Sequence, residues 1–324
     1  MRPFFIALAC SWVALFAAAL FYSKQHPQSH WIMSAALPAF LLEAIFYLGS
    51  VFAETRAWFA PVRPRRLQGL LLWMSALLPY LVFASLSNTL HRSAFELLAT
   101  LTAVLAFWFI LLPMRPAYDI GFLLIAAAPV VLRVFPRIYL SPDPNLRIDV
   151  LGHLMWIRLG IAALLVLREW NPGAFDFWPR AHEWRTGLLY YASSILPIAL
   201  VALALHDARF APVPGAWWRV AALAVGTFFG MLWVVALGEE LFFRGVIERA
   251  LLDGWKSKTA AVIVSAILFG AAHFWFQHFP NWRRALVATV LGLACGLAYA
   301  RTGSVRVPMV THAFVVTTWR VLFK

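Results

Sequence analysis

The sequence predicts an all-α fold, a polytopic transmembrane helical bundle with about eleven candidate spans. Three observations carry that expectation. Apolar runs of about 20 residues, the length that crosses a bilayer, recur along the whole chain. Of the 324 residues, 63% are hydrophobic and only 13% are charged, with a mean hydropathy of +0.78. The basic residues gather between the apolar runs, where the positive-inside rule and anionic headgroups place them. The dyad alternation of an outer-membrane barrel is absent.

Taken in order, the candidate spans are Phe4–Tyr22, Trp31–Ala53, Leu67–Ser87, Ala94–Pro113, Ile120–Phe135, Ile148–Leu167, Thr186–His206, Ala216–Gly238, Thr259–Phe279, Ala285–Ala300 and Val305–Leu322. The first follows Arg2 and ends in small residues like a signal peptide, but its run is long for an h-region, and it reads as a helix that stays. Ile120–Phe135 is short, and Val305–Leu322 carries Arg306, Pro308 and His312. The segment Arg168–Arg185 holds the turn signal Asn171-Pro172-Gly173 and aromatics mixed with charge, which predicts an interfacial linker. It divides the chain into an N-terminal region, residues 1–170, of no assigned role; a linker with the first span of the C-terminal half, 171–215; and a C-terminal core, 216–324. With eleven crossings, the basic loop holding Arg56, Arg63, Arg65 and Arg66 and the stretch holding Arg244, Arg249, Lys256 and Lys258 fall on the same, cytoplasmic side.

Lys and Arg number 27 against 14 Asp and Glu, a net charge of +13. The distribution of these charges fits a lipid bilayer as partner and not nucleic acid. The two cysteines, Cys10 and Cys295, lie inside apolar runs and offer neither a disulfide framework nor a paired metal motif. The expected location is integral and multi-pass, in a bacterial inner membrane.

Ionisable residues inside spans are costly and need partners. The N-terminal half has Glu43, Glu96, Arg133, His153 and Arg158. Glu96, Arg133 and Arg158 read as span-end or snorkelling residues. Glu43 and His153 read as one buried polar contact.

The C-terminal half has three polar stations: Glu239-Glu240 with Arg244, then Phe269 and His273, then His312. Glu240 and Arg244 are four apart, so on a helix they share a face and pair. That leaves Glu239 available. Two carboxylates and two histidines on neighbouring membrane helices are expected to face one another around a small polar cavity, with His273 within side-chain reach of Glu239. A glutamate beside a neutral histidine deprotonates water, and a second histidine donates to a developing oxyanion, which is the equipment of amide hydrolysis. The same Glu239, His273 and His312 are also a conceivable zinc set, although no HExxH is present. Two GxxxG pairs, Gly226 with Gly230 and Gly292 with Gly296, allow close helix approach.

These residues bring the chain to a family. EExxxR, then FxxxH about thirty residues later, then a histidine in the last span resembles the CPBP intramembrane proteases. That family includes type 2 CAAX prenyl endopeptidases and bacteriocin-processing relatives. The resemblance spans roughly Ala216 to Leu322, with FFRGVIERAL, ILFGAAHF and GLACGLAYARTGSVRVPMVTHA as flanking wording. It implies a CAAX-protease-like, glutamate-type peptidase acting on a membrane-associated peptide or protein, without an obligatory cofactor. Glu239 and His273 would activate the water, Glu240, Arg244 and Phe269 would shape the site or touch substrate, and His312 would help form the oxyanion site. The family's third motif is HxxxN, and this chain has Val316 at the asparagine position. A non-catalytic membrane scaffold, chaperone or carrier on the same fold is therefore the alternative.

Overall fold

The structure, a computed structural model, describes residues 1–26, 30–62 and 64–324. Arg63 of the basic loop lies outside the described residues. The chain is 79% helical with no strands among the described residues. Nine helices there are long and apolar enough to cross a membrane. They are α1 (Arg2–Gln25), α2 (His30–Val51), α4 (Arg65–Leu86), α5 (Arg92–Leu111), α8 (Asp149–Leu167), α9 (Ala181–Ala204), α10 (Trp217–Gly254), α11 (Lys258–Trp275) and α12 (Trp282–Thr302). Between them lie α3 (Ala53–Phe59), α6 (Pro116–Val131) and α7 (Phe135–Ile138), and the last helix is α13 (Arg306–Leu322).

The two expected spans that fall short are α6 and α13. At 16 residues, α6 is about 24 Å long against a hydrocarbon core of about 30 Å. α13 has 17 residues and starts on a buried Arg306. With α6 removed from the count of full crossings, placing the two basic stretches on one side loses its arithmetic.

The helices form two compact units, Met1–Trp170 and Asn171–Lys324. In the first, buried polar side chains fix helix to helix. Arg158 of α8 is almost fully buried, its Nε 2.6 Å from Glu43 Oε1 of α2. Its Nη1 also donates to Ser75 Oγ of α4 at 2.9 Å. This corrects two expectations. Arg158 does not snorkel, and the partner of Glu43 is Arg158 and not His153. His153 turns to its own helix, with Nδ1 2.8 Å from the Asp149 carbonyl. Buried, a carboxylate gains far more from a guanidinium fork than from a neutral ring. Glu96 pairs with Arg92 on an exposed face at 2.7 Å.

In the second unit, the stretch after Trp170 folds against the start of α13. α12 ends on Gly303 at φ +62°, the left-handed cap that glycine provides. The Gly303 carbonyl accepts from Ala174 N at 2.9 Å, and the Ala174 carbonyl accepts from Val305 N at 3.0 Å. Glu183 of α9 accepts from Ser304 Oγ at 2.6 Å and from Arg306 Nη2 at 2.8 Å, which fixes the first turn of α13. The linker is thus a packed part of this unit.

α11 and α12 approach closely at Gly270. A methyl on Gly270 would stand 2.5 Å from the Ala285 carbonyl and closer still to Thr289 Oγ1. Gly270→Ala is therefore expected to push the two helices apart and to destabilise the protein by about 1–3 kcal/mol. Thermal unfolding in detergent checks it, and an unchanged midpoint would contradict it.

Candidate active site

All three polar stations lie in the second unit. The helix carrying the glutamates, α10, is not a uniform α-helix. It runs as α-helix over Trp217–Gly230, as π-helix over Met231–Ala236, as one α turn over Leu237–Glu240, as π-helix over Leu241–Glu248, and as α-helix again to Gly254. Such π segments are rare and concentrate at functional sites, because the wider i→i+5 turn re-aims the side chains it carries. Glu239 and Glu240 sit on the one α turn between the two.

Glu240 and Arg244 are both fully buried, with Arg244 Nε 3.1 Å from Glu240 Oε2. The other carboxylate oxygen, Oε1, lies 2.7 Å from His312 Nδ1. Arg244 also donates from Nη2 to the Gly292 carbonyl at 3.1 Å. Its guanidinium stands 4.5 Å over the ring of Phe269, an energetically favourable cation–π placement. Phe269, fully buried on α11, is the hub of the site. Its ring centroid is 4.8 Å from that of His273, 5.8 Å from that of His312 and 5.1 Å from that of Phe243. Apolar side chains enclose this hub, among them Ile198, Val287, Leu291 and Val315.

Glu239 is partly exposed. Its Oε2 is nonetheless buried, has no hydrogen-bond partner in the protein and lies 4.0 Å from His312 Nε2. That separation is too long for a direct hydrogen bond and suits an oxygen placed between the two groups. The histidine that faces Glu239 is thus His312. His273 reaches the group through the Phe269 ring, and makes no ion pair with Glu239 among the described residues. His273 closes α11 at the point where the helix tightens into a 3₁₀ turn, His273–Trp275.

Both imidazoles have their tautomer set by their partners. His273 Nδ1 lies 2.9 Å from the Phe269 carbonyl, which can only accept, so Nδ1 carries a proton and Nε2 of the neutral ring holds a lone pair. His312 Nδ1 likewise faces the Glu240 carboxylate, so its working nitrogen is also Nε2. The neutral His273 ring can take a proton. His312 donates from Nε2 only when its ring carries both protons.

Val316 is half-buried, one helical turn beyond His312. The neighbouring hydroxyls are engaged elsewhere. Thr317 donates to the Ala313 carbonyl at 2.7 Å, and Thr318 shares a hydrogen bond with Tyr191 at 2.8 Å. Among the described residues no three His, Cys, Asp or Glu side chains are gathered as metal ligands.

Two further buried polar residues belong to this unit, of which Glu248 was not singled out in the sequence. Cys295 of α12 lies beside Glu240. Glu248 of α10 is fully buried, with neither carboxylate oxygen in a well-aligned hydrogen bond. The signal for Glu248 was the spacing: it follows Arg244 by four residues, as Arg244 follows Glu240.

The site is a buried glutamate–histidine–arginine group within a bundle of apolar helices. Residues 217–318, which hold all three polar stations, match the family described as Type II CAAX prenyl endopeptidase Rce1-like. The match agrees with the resemblance to the CPBP proteases and covers about a third of the chain. No curated protein and no solved structure matches the chain.

Proposed function

We propose that the protein is an intramembrane endopeptidase that hydrolyses a peptide bond in a membrane-associated substrate, with water as the nucleophile. The observation that carries this reading is the pairing of a free carboxylate oxygen, Glu239 Oε2, with His312 Nε2 across 4.0 Å, while Glu240 holds the far side of the same ring. Glu239 and the bare Nε2 of His273 take a proton from the water, whose oxygen attacks the carbonyl carbon. His312, doubly protonated, donates from Nε2 to the oxyanion. Collapse of the tetrahedral intermediate breaks the C–N bond, and the proton taken from the water by Glu239 or His273 goes to the departing amine. Glu240, Arg244 and Phe269 keep the two imidazoles in place.

The family description points to prenylated C-terminal peptides as the first substrate class to test. Leader peptides and other membrane-anchored tails are the further classes. We place the protein in a bacterial inner membrane, as an expectation from its sequence. The test is incubation of the purified full chain with a farnesylated peptide and mass spectrometry of the products. A released C-terminal fragment supports the reading, and an intact peptide across all three substrate classes overturns it.

A non-catalytic scaffold or carrier is the second reading, and Val316 favours it, since the adjacent Thr317 and Thr318 hydroxyls are already bonded. A substitution separates the two. Val316 is half-buried and lies one helical turn beyond His312, on the same face. Val316→Asn is expected to raise turnover per folded molecule by up to the 10²–10³-fold, on the order of what one oxyanion donor contributes. A fall in specific activity with folding intact would remove His312 from the oxyanion role.

A further inference from the structure

Glu248 has no part in the chemistry proposed above, yet its burial demands an account. Its side chain is fully buried and neither oxygen accepts a well-aligned hydrogen bond. The groups around it are Arg244, Ser265 and Glu240, with Cys295 and Tyr299 also near. Ser265, whose hydroxyl also lies 3.3 Å from the Phe243 carbonyl, is neutral, so Arg244 is the balancing charge, without a direct ion pair to Glu248.

Space for the carboxylate is made from the other side of the interface. Gly296 of α12 has no side chain, and a methyl there would lie 2.8 Å from Glu248 Oε2. One turn earlier, the Gly292 carbonyl accepts from Arg244 at 3.1 Å. The GxxxG pair of α12 therefore does more than bring helices together. One glycine supplies a carbonyl to the guanidinium and the other makes room for the carboxylate. Arg244 keeps unused donor capacity, because neither its Nε nor its Nη1 makes a well-aligned hydrogen bond.

We propose that Glu240, Arg244 and Glu248 form one buried ionic ladder on α10, in which Arg244 serves both carboxylates, and that Glu248 is a positioning residue for the His312 side of the site. The catalytic part of this inference rests on the peptidase reading, whereas the ladder itself does not. By drawing on the same guanidinium, Glu248 limits how far Arg244 satisfies Glu240. Glu240 Oε1 then remains a strong acceptor for His312 Nδ1–H, and Nε2 stays aimed at Glu239.

A double-mutant cycle in the full chain tests the ladder without any substrate. Arg244→Met strands two buried carboxylates, so its folded fraction in detergent, read by size exclusion and thermal scanning, is expected to collapse. Adding Glu248→Gln removes one of the stranded charges, and the double variant is expected to recover about half of the lost folded fraction, a coupling that residues in separate networks do not show. A double variant that folds no better than Arg244→Met alone overturns the ladder.

The positioning role is read separately with the farnesylated peptide. Glu248→Gln keeps the shape and removes the charge. It is expected to lower kcat about tenfold with KM unchanged, and Glu248→Asp is expected to restore part of that loss. Wild-type kcat in Glu248→Gln overturns the positioning role. If the wild-type chain itself leaves the peptide intact, the catalytic part falls with the peptidase reading, and the stability cycle still decides whether the ladder exists.

Discussion

Glu239→Gln is expected to lower turnover by about 10²–10⁴-fold, the contribution of a general base, while the folded yield stays at the wild-type level. The two halves of this expectation come from one feature. Glu239 is the partly exposed member of the acidic pair, and its buried oxygen has no hydrogen-bond partner in the protein. Removing the charge therefore breaks no structural hydrogen bond, while the proposed proton acceptor is lost. The measurement is specific activity on a farnesylated peptide, normalised to the monodisperse fraction. Wild-type activity in this variant would mean that the base is another group.

Arg244→Ala has the opposite profile, with large damage to the fold itself. Arg244 is fully buried between Glu240, the Phe269 ring and the Gly292 carbonyl. Truncating it leaves Glu240 buried without its counter-ion, and breaking a buried pair in this way costs about 3–5 kcal/mol. Loss of the ring contact adds to that. The variant is expected to aggregate or to unfold well below the wild-type temperature in detergent. A normal melting profile would contradict the ion-pair account and show that Glu240 has another source of compensation.

The membrane helices were legible because their signal is local. A run of apolar side chains of bilayer length has few alternatives to a helix, since every backbone group in lipid must be satisfied within the segment. The two spans that fell short, Pro116–Val131 and Arg306–Leu322, were the ones with a short run or with polar interruptions. The Glu240–Arg244 pair was equally legible, since both partners sit on one helix at fixed spacing.

Partners across helices were not legible. Nothing in the chain says that Glu43 meets Arg158 and not His153, because the choice is made by how α2, α4 and α8 pack. The pairing of Glu239 with His312 has the same origin. The π turns of α10 left no readable trace in the apolar pattern. Glu248 sits beside Arg249 near the end of α10, where a charged residue is ordinarily solvated. Only the gap left by Gly296, on another helix, turns it into a buried group.

The central claim is that the chain hydrolyses a peptide bond with Glu239-dependent water activation. Its most direct test is a paired assay of the purified full chain and of Glu239→Gln on one farnesylated peptide, with products identified by mass spectrometry. The account predicts a defined C-terminal fragment from the wild-type protein and almost none from the equally folded variant. Equal cleavage by both proteins would contradict it.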